Sequence, residues 1–401
     1  MTATVTVCIP AYRAASFIAQ TVIGVLRQTH SDLRVVVAID PPDDGSPCGT
    51  ATALAPLMAD RRLSVRTNPK RLGWAENVNS MLRDVTTPYF CFLPHDDIWS
   101  PLYLERLMVA LAAQPQAIIA YCDILRFGAT PPTRKSVILP QGANRVTGLL
   151  HFLLQGTEAQ MWRGLTRASA LARVPGFPTD RHLGFVVECE YALALHGVGA
   201  VVHVPQTHYF KRIYAQDTIS ASRARMLLPL EDCRLGWQEH DRRMQRLLGE
   251  ALDDMQAEAA DRTLCMAAKE SALLRRFQQF VQPALTANEL SRAEAALQLC
   301  AASTDPVAGQ VAANLHLVLQ AHWQAQDTPL NAATAARDAW QAGSTFGSVL
   351  AHAQALARQD RPLEALERAT EAMRIGHCDD TRPAQMLIDE IYAGLGWDVQ
   401  T

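Results

Sequence analysis

Residues 91–99 read CFLPHDDIW: an apolar run stops at a histidine and two aspartates, then resumes. Adjacent carboxylates at the end of a buried strand suit a hard divalent cation. Mg2+ and Mn2+ take oxygen ligands, usually one or two carboxylates together with substrate phosphates. A bound diphosphate supplies the remaining oxygens; Asp96 ligates and Asp97 assists or positions it. The plain alternative is a solvated turn in which an aspartate caps the helix starting near Pro101. A second pair of acids, Glu188 and Glu190, stands in VVECEYALALHG. At the start of a helix such acids are favoured by the dipole.

The first part of the chain must position these groups, and it alternates strand-like and helix-like runs. VTVCIPA, LRVVVAI, LSVRT, YFCFLP and AIIAYCDI read as strands. Between them FIAQTVIGVLRQ, TATALAPLMA, AENVNSMLRDV and PLYLERLMVALAAQP read as helices, the first with Ile18, Val22, Val25 and Leu26 on one side. Continuous β-branched runs suit strands covered on both faces. PPDDGSPCG is a loop. This order predicts an α/β fold with a doubly wound, mainly parallel sheet. Ligands of such sheets bind beyond the carboxyl ends of the strands. Asp40, Asn68, residues 95–97 and Asp123 are all expected there.

From about residue 224 strand-like runs give way to alanine, glutamine and leucine. The reading is therefore two domains, 1–223 and 224–401, the second all-α. QDTPLNAATAARDAW from Gln326 lies over QDRPLEALERATEAM from Gln359 at an offset of 33 residues, and ANELSRAEAALQLC from Ala287 resembles both less well. A two-helix repeat of this length packs against its neighbours. The pattern is similar to degenerate tetratricopeptide repeats; the alternative is an irregular bundle.

With 37 basic and 40 acidic side chains, a net charge of -3, the chain lacks the basic footprint of non-specific nucleic-acid binding. A pocket can still be basic while the whole is not. Nine scattered cysteines, odd in number and without a CxxC pair, point to buried thiols in a reducing compartment. MTATVTVCIPAY does not read as a signal peptide. No apolar run approaches the roughly 20 residues of a membrane span. A cytoplasmic location is expected, with attachment at the inner face of a membrane left open.

Residues 4–222 resemble a family 2 glycosyltransferase of the GT-A fold. VCIPAYRAASFIAQTVIGVLRQT is similar to that family's opening strand and helix, its "PxYN" element written here as PAYR. DDGSPCGT at 43–50 resembles the "DDGSxDGT" loop, and NPKRLGWAENVNSML from Asn68 resembles the "NxGxxxARN" helix. FLPHDDIW resembles the "DxD" strand end, and PGFPTDRHLGFVVECEYALALHGVG from Pro175 resembles the "GGF…ED…L…G" acceptor segment.

The resemblance implies roles for single residues. Pro10, Ala11 and Tyr12 would line the nucleotide pocket. Asp40 and Asp43 or Asp44 would hold base and ribose; the intervening Pro-Pro leaves open which of Asp40 and Asp43 takes the base. Asx-turns are the plain alternative for at least one of these acids. Arg71 would neutralise phosphate, and Gly73 and Asn77 would let the chain pass close to the donor or merely shape a turn. The first "DxD" acid falls at Pro94, so Asp96 inherits the metal with Asp97 beside it. His95 would contact donor hydroxyls or serve the structure. In HYFKRIYAQDTIS, Lys211 or Arg212 would close over the diphosphate and His208 would complete the metal shell. Glu188 falls on the "ED" aspartate, with Glu190 the second choice of base and Val187 on the lost acid. Trp74, Trp99 and Trp162 are candidates for stacking on a sugar or for plain packing.

The expected activity is inverting transfer of a sugar from a nucleoside diphosphate-sugar to an acceptor hydroxyl, assisted by Mn2+ or Mg2+. Its setting would be surface polysaccharide or glycan synthesis, with a glycan or lipid-linked glycan as acceptor. The helical tail would dock a protein partner or a second copy of the chain. Two alternatives remain. A sugar-phosphate nucleotidyltransferase would want glycines after the first strand, and PAYRAASFI has none. A decayed, scaffold-like transferase would explain the acids lost at Pro94 and Val187.

Overall fold

The apolar run Val5–Tyr12 forms the central strand β1, buried along almost its whole length. It pairs in parallel with β2 (Leu33–Asp40) and with β4 (Tyr89–Phe92), and β2 pairs in parallel with β3 (Leu63–Thr67). The computed structural model that shows this describes residues 4–46, 48–129, 131–137, 139, 144–155, 159–179, 187–214, 230–343, 345–376 and 381–395. The register sets Tyr12 beside Asp40, so both stand at the carboxyl edge. The strands are covered as their sequences predict: Ile18, Val22 and Val25 of α1 (Ile18–Leu26) are fully buried, as are Leu104, Leu107 and Leu111 of α4 (Tyr103–Ala113). Each large side chain so buried contributes roughly 1.5–3 kcal/mol. Between them lie α2 (Thr50–Leu54) and α3 (Trp74–Leu82).

The other half of the sheet is mixed, with short antiparallel ladders beside one long parallel ladder. Its strands are β5 (Ile98–Trp99), β6 (Ala117–Gly128), β7 (Thr133–Lys135), β8 (Leu165–Arg167) and β9 (Ala200–Ile213). The order is β3-β2-β1-β4-β8-β6-β9-β5, with β7 on β6. β8 runs antiparallel to both β4 and β6, β5 runs antiparallel to β9, and β6 and β9 are parallel. Strands of two or three residues carry no readable periodicity, so these pairings were invisible to pattern. The doubly wound architecture itself is as expected, as is the all-α region behind it. Asp123 departs from its expected place: it lies inside β6, not at its end, fully buried and bound to His203, Ser136 and Arg134.

The chain divides into two compact units, Met1–Phe152 with Thr157–Ala257, and Leu153–Gly156 with Glu258–Thr401. The first is completed by α5 (Arg145–Leu154), α6 (Val187–Val198) and α7 (Leu230–Asp254), α7 packing against α6. The change of composition near residue 224 and the change of packing unit at residue 258 therefore do not coincide.

The second unit is helical: α8 (Ala259–Phe280), α9 (Ala287–Ala301), α10 (Ala308–Ala325), α11 (Pro329–Ala342), α12 (Phe346–Arg358), α13 (Pro362–Ile375) and α14 (Arg382–Gly394). The 33-residue offset of the sequence recurs in several element bounds of this unit. α10 and α12 end 33 residues apart, at Ala325 and Arg358; α11 and α13 each begin on a proline, as suits a first helical position. Asp327 and Asp360 turn the chain with φ of 53° and 57°, a left-handed conformation that aspartate tolerates. Ala332, Ala336 and Ala339 of α11 are buried like Ala365, Ala369 and Ala372 of α13, small side chains that let helices approach closely. α9 departs from this pattern, starting on a Thr286–Glu289 capping box in place of a proline.

Among the described residues no helix is long and apolar enough to cross a membrane. The eight described cysteines are free thiols.

Candidate active site

The dyad stands on a tight turn between β4 and β5. The Asp97 amide donates to the Pro94 carbonyl at 3.2 Å, and the Thr21 hydroxyl on α1 reaches the His95 and Asp97 carbonyls at 2.9 and 3.0 Å. The two carboxylates point to different environments. Asp97 is buried: Tyr209 donates to its Oδ2 at 2.7 Å, the Arg212 amide donates to its Oδ1 at 2.9 Å, and Arg163 Nε is 4.0 Å away. Burial pushes Asp97 up to about 6, against the pull of Arg163, Tyr209 and the Arg212 amide. Asp96 accepts one hydrogen bond, from the Tyr214 hydroxyl to Oδ2 at 2.8 Å, and its Oδ1 has no partner among the described residues.

Asp96 lines a cleft of about 570 Å³ at the carboxyl edge of the sheet. Arg126, Arg163, Lys211 and Arg212 line it too, with Thr133 and Tyr214. Arg163 lies over the Trp162 ring at 4.3 Å. Arg212 donates from Nε to the Asp96 carbonyl at 3.2 Å and packs on Phe17 and Phe127 at 4.4 and 4.7 Å. Arg163, and then burial, push Lys211 down to about 8. Glu188, in the first turn of α6, lies within electrostatic reach of both Arg163 and Lys211. The cleft thus joins one open carboxylate and a ring of cations, and the cations are the equipment for holding an oxyanion.

The residues expected at the nucleoside end separate into an inner and an outer set. Asp40 is buried; its Oδ1 accepts from Asn68 at 2.8 Å and its Oδ2 from the Gly73 amide at 2.9 Å. Asn77 is buried as well, donating to the Ala38 carbonyl at 2.9 Å and accepting from Asn68 at 3.0 Å. These groups fix the start of α3, where Gly73 adopts φ 81°, a conformation that favours glycine. Pro10 and Ala11 are buried in the sheet, and the Pro10 carbonyl lies 3.3 Å from His95 Nδ1. The outer set is open. The Arg71 guanidinium lies 4.4 Å over the Tyr12 ring and pairs with Asp43 at 2.5 Å. Arg13 pairs with Asp44 at 3.0 Å, and the Ser46 hydroxyl and amide hold Asp44 down to about 2.

Several expectations are corrected by this geometry. His208 does not join the carboxylates: its Nδ1 meets the Ser100 hydroxyl at 2.8 Å and its Nε2 meets Gln206 at 3.2 Å. The antiparallel register explains why, since Trp99 faces Tyr209 and Ile98 faces Phe210, carrying His208 away from Asp96. Asp97 has both oxygens engaged and serves as a strut, not an open ligand. Glu190 is buried against α7, its Oε1 2.5 Å from His240 Nδ1 and its Oε2 2.6 Å from Arg243 Nε. Asp40, Asn77, Pro10 and Ala11 shape the site from beneath. Trp99 and Trp162 are buried core residues, and Trp74 packs edge-on against Trp162 and Phe177 at 5.5 and 5.0 Å. Residues 180–186 of the acceptor segment lie outside the described residues.

Sequence reasoning missed Arg126, Arg163, Tyr209 and Tyr214. The aromatic-basic run HYFKRIY was a usable signal for the two tyrosines. Arg126 and Arg163 had none, being single cations whose placement follows from strand register alone.

Among the described residues no three His, Cys, Asp or Glu side chains converge as a metal cluster. Asp96 nonetheless fits a hard cation of the kind that takes a single protein carboxylate and fills its shell with phosphate oxygens and water.

A mixed, doubly wound sheet with this cleft at its carboxyl edge defines a GT-A-like α/β domain. A profile of the family described as "Glycosyl transferase family 2" matches residues 6–171, and the fold carries a helical extension behind that segment. An uncharacterized glycosyltransferase of Haemophilus influenzae (strain ATCC 51907 / DSM 11121 / KW20 / Rd) is 28% identical over 124 residues, 30% of this chain. The aligned part spans only 37% of that relative. The structure of S. aureus TarS 1-349 in complex with UDP-GlcNAc superposes with a TM-score of 0.55 at 12% identity, covering 84% of this chain and 91% of that one. S. aureus TarS 1-349 in complex with UDP gives 0.52 at 12% identity, covering 85% and 92%. At such identities the likeness is one of fold.

Proposed function

We propose that this protein is a glycosyltransferase that moves a sugar from a nucleoside diphosphate-sugar to an acceptor hydroxyl with inversion. The observation that carries the reading is the open carboxylate of Asp96 facing Arg126, Arg163, Lys211 and Arg212 in one cleft of a family 2-type domain. Tyr12, Arg71 and Asp43 form the exposed nucleoside end, with Asp44 beside them. The diphosphate runs from there to the cationic cleft. Glu188 accepts the proton of the acceptor hydroxyl as that oxygen attacks the anomeric carbon. The anomeric C–O bond to phosphate breaks as the new one forms, and the diphosphate leaves with the bonding pair among the cations. Asp96 would hold a Mn2+ or Mg2+ ion, which supplies charge neutralisation at the diphosphate when bound. The acceptor is assigned to the glycans of surface polysaccharide synthesis. The tail, as a tetratricopeptide-like array, is assigned to docking a partner or a second copy.

The test is calorimetric titration of a panel of nucleoside diphosphates with and without Mn2+, on the wild type and Asp96→Ala. One base should bind, more tightly with metal, and the gain from metal should vanish in the variant. The corresponding nucleotide-sugar should then be turned over. Nucleotide binding without turnover of any donor-acceptor pair would favour the scaffold reading suggested by the acids replaced at Pro94 and Val187.

A further inference from the structure

The helical unit holds a groove of its own. α8 and α10 pack together, and Ser271, Arg275, Gln278 and Gln279 recur along one face of α8. With Asn314 on α10 and Phe346 at the start of α12 they line a cavity of about 610 Å³, within the size range of small-ligand sites. Two of its amides are already oriented. Gln278 Nε2 donates to the Val318 and Pro283 carbonyls at 2.9 and 3.1 Å, and Asn314 Nδ2 donates to the Leu154 carbonyl at 3.2 Å. Their oxygens, Gln278 Oε1 and Asn314 Oδ1, accept nothing among the described residues. Ser271 is 5% exposed, and its hydroxyl makes no hydrogen bond among the described residues. Buried polar groups are almost always paired, and leaving one unpaired is destabilising. Arg275 and Gln279 are exposed at the rim, and their side chains are also unpaired among the described residues.

These groups select a ligand class. Amide oxygens fixed as acceptors need O–H or N–H donors. The same oxygens disfavour an anion in their midst. No carboxylate is among the described residues that line the groove, so a cation would meet Arg275 uncompensated. The half-buried Phe346 and Leu317 and the buried Val318 add an apolar surface. A neutral molecule with several hydroxyls on its edge and C–H groups on its face answers to both, which describes a sugar ring. A peptide backbone fits less well, since it brings an acceptor for every donor.

We propose that this groove of the helical unit binds a neutral oligosaccharide. Its hydroxyls donate to Ser271, Gln278 Oε1 and Asn314 Oδ1 and accept from Arg275 and Gln279, while one ring face lies on Phe346. That this glycan is the acceptor of the transfer reaction rests on the glycosyltransferase reading; the binding itself does not.

Ligand-observed NMR titration of the full chain decides, with the neutral tetrasaccharides of glucose, mannose, galactose and N-acetylglucosamine as probes. The proteins are the wild type, Ser271→Ala, Arg275→Ala and Gln279→Ala, each checked for an unaltered thermal transition. One tetrasaccharide should bind the wild type, and each substitution should weaken it about three- to tenfold, the worth of one hydrogen bond. In the transfer reaction the same variants should raise KM for that tetrasaccharide by the same factor and leave kcat unchanged. An unchanged KM would show that the glycan held here is not the acceptor. If no nucleoside diphosphate binds the wild type, the glycosyltransferase reading falls, while a tetrasaccharide weakened in all three variants still upholds the groove. Affinity unchanged in the three folded variants, or no tetrasaccharide bound by the wild type, would overturn the proposal and leave the groove to water or a protein segment.

Discussion

Glu188 and Glu190 are two positions apart on α6, a rotation of about 200°, and they meet opposite surroundings. Glu188 lies toward the cations of the cleft, whereas Glu190 is buried between His240 and Arg243. Substitution should therefore separate them. Glu188→Gln is expected to lower transfer ~10²–10⁴-fold, the usual worth of a general base, with nucleoside diphosphate affinity unchanged by calorimetry. Glu190→Ala leaves a buried histidine and arginine without their acid and is expected to cost ~3–5 kcal/mol of stability, read as a lowered denaturation midpoint. Equal losses of stability in both variants would contradict the division of roles. The dyad was legible in sequence because charge interrupting an apolar run has few explanations. Which of its members stays open was not, since it depends on Tyr209 and the Arg212 amide closing over Asp97 from a strand more than a hundred residues away.

At the scale of elements, β1 to β4 were legible because a strand covered on both faces writes an uninterrupted apolar run. β5, β7 and β8 were not, because two or three residues have no period, and they are the strands that make the sheet mixed. α6 was legible as a helix, but its nearly complete burial was not, since it contains His196. That histidine is 3% exposed, packs 5.0 Å from Phe152, and its Nε2 has no hydrogen bond among the described residues. Burial, and then Arg145, push His196 down to about 3. An unfolded histidine titrates near 6.5, so the unfolded chain gains a proton below that pH while the folded one does not. The associated stability is present above about 6.5 and is lost as pH falls toward about 3. Between pH 7 and 4 this site should cost on the order of 3 kcal/mol. Thermal unfolding of wild type and His196→Leu across that range checks it: the wild type should lose more stability than the variant. Parallel pH profiles would mean that His196 charges without penalty.

For the molecule as a whole, composition and packing draw different boundaries. Beyond residue 224 the sequence reads as helical, and that shift in composition records secondary structure, not which core a helix joins. α7 belongs with the sheet: Trp237, Met244, Leu248 and Ala251 are buried, and His240 and Arg243 clasp Glu190 on α6. At the far end of α6, Arg145 and Arg173 both pair with Asp254 of α7, at 2.9 and 2.6 Å. No local pattern announces this, because an amphipathic helix does not say what it packs against. The 33-residue repeat, by contrast, was legible, since each unit restates the same proline, aspartate and small-residue positions. Truncation tests where the catalytic unit ends. A chain stopping after residue 223 strips α7 from α6, exposes that apolar face and leaves Glu190 without His240 and Arg243. A chain stopping after Ala257 keeps all of these contacts. The longer fragment should unfold cooperatively and bind the same nucleoside diphosphate as the full protein, and the shorter should show no cooperative transition. If the shorter fragment unfolds cooperatively at the same midpoint and keeps nucleotide affinity, α7 is an attachment to the unit, and the boundary drawn by composition is the functional one.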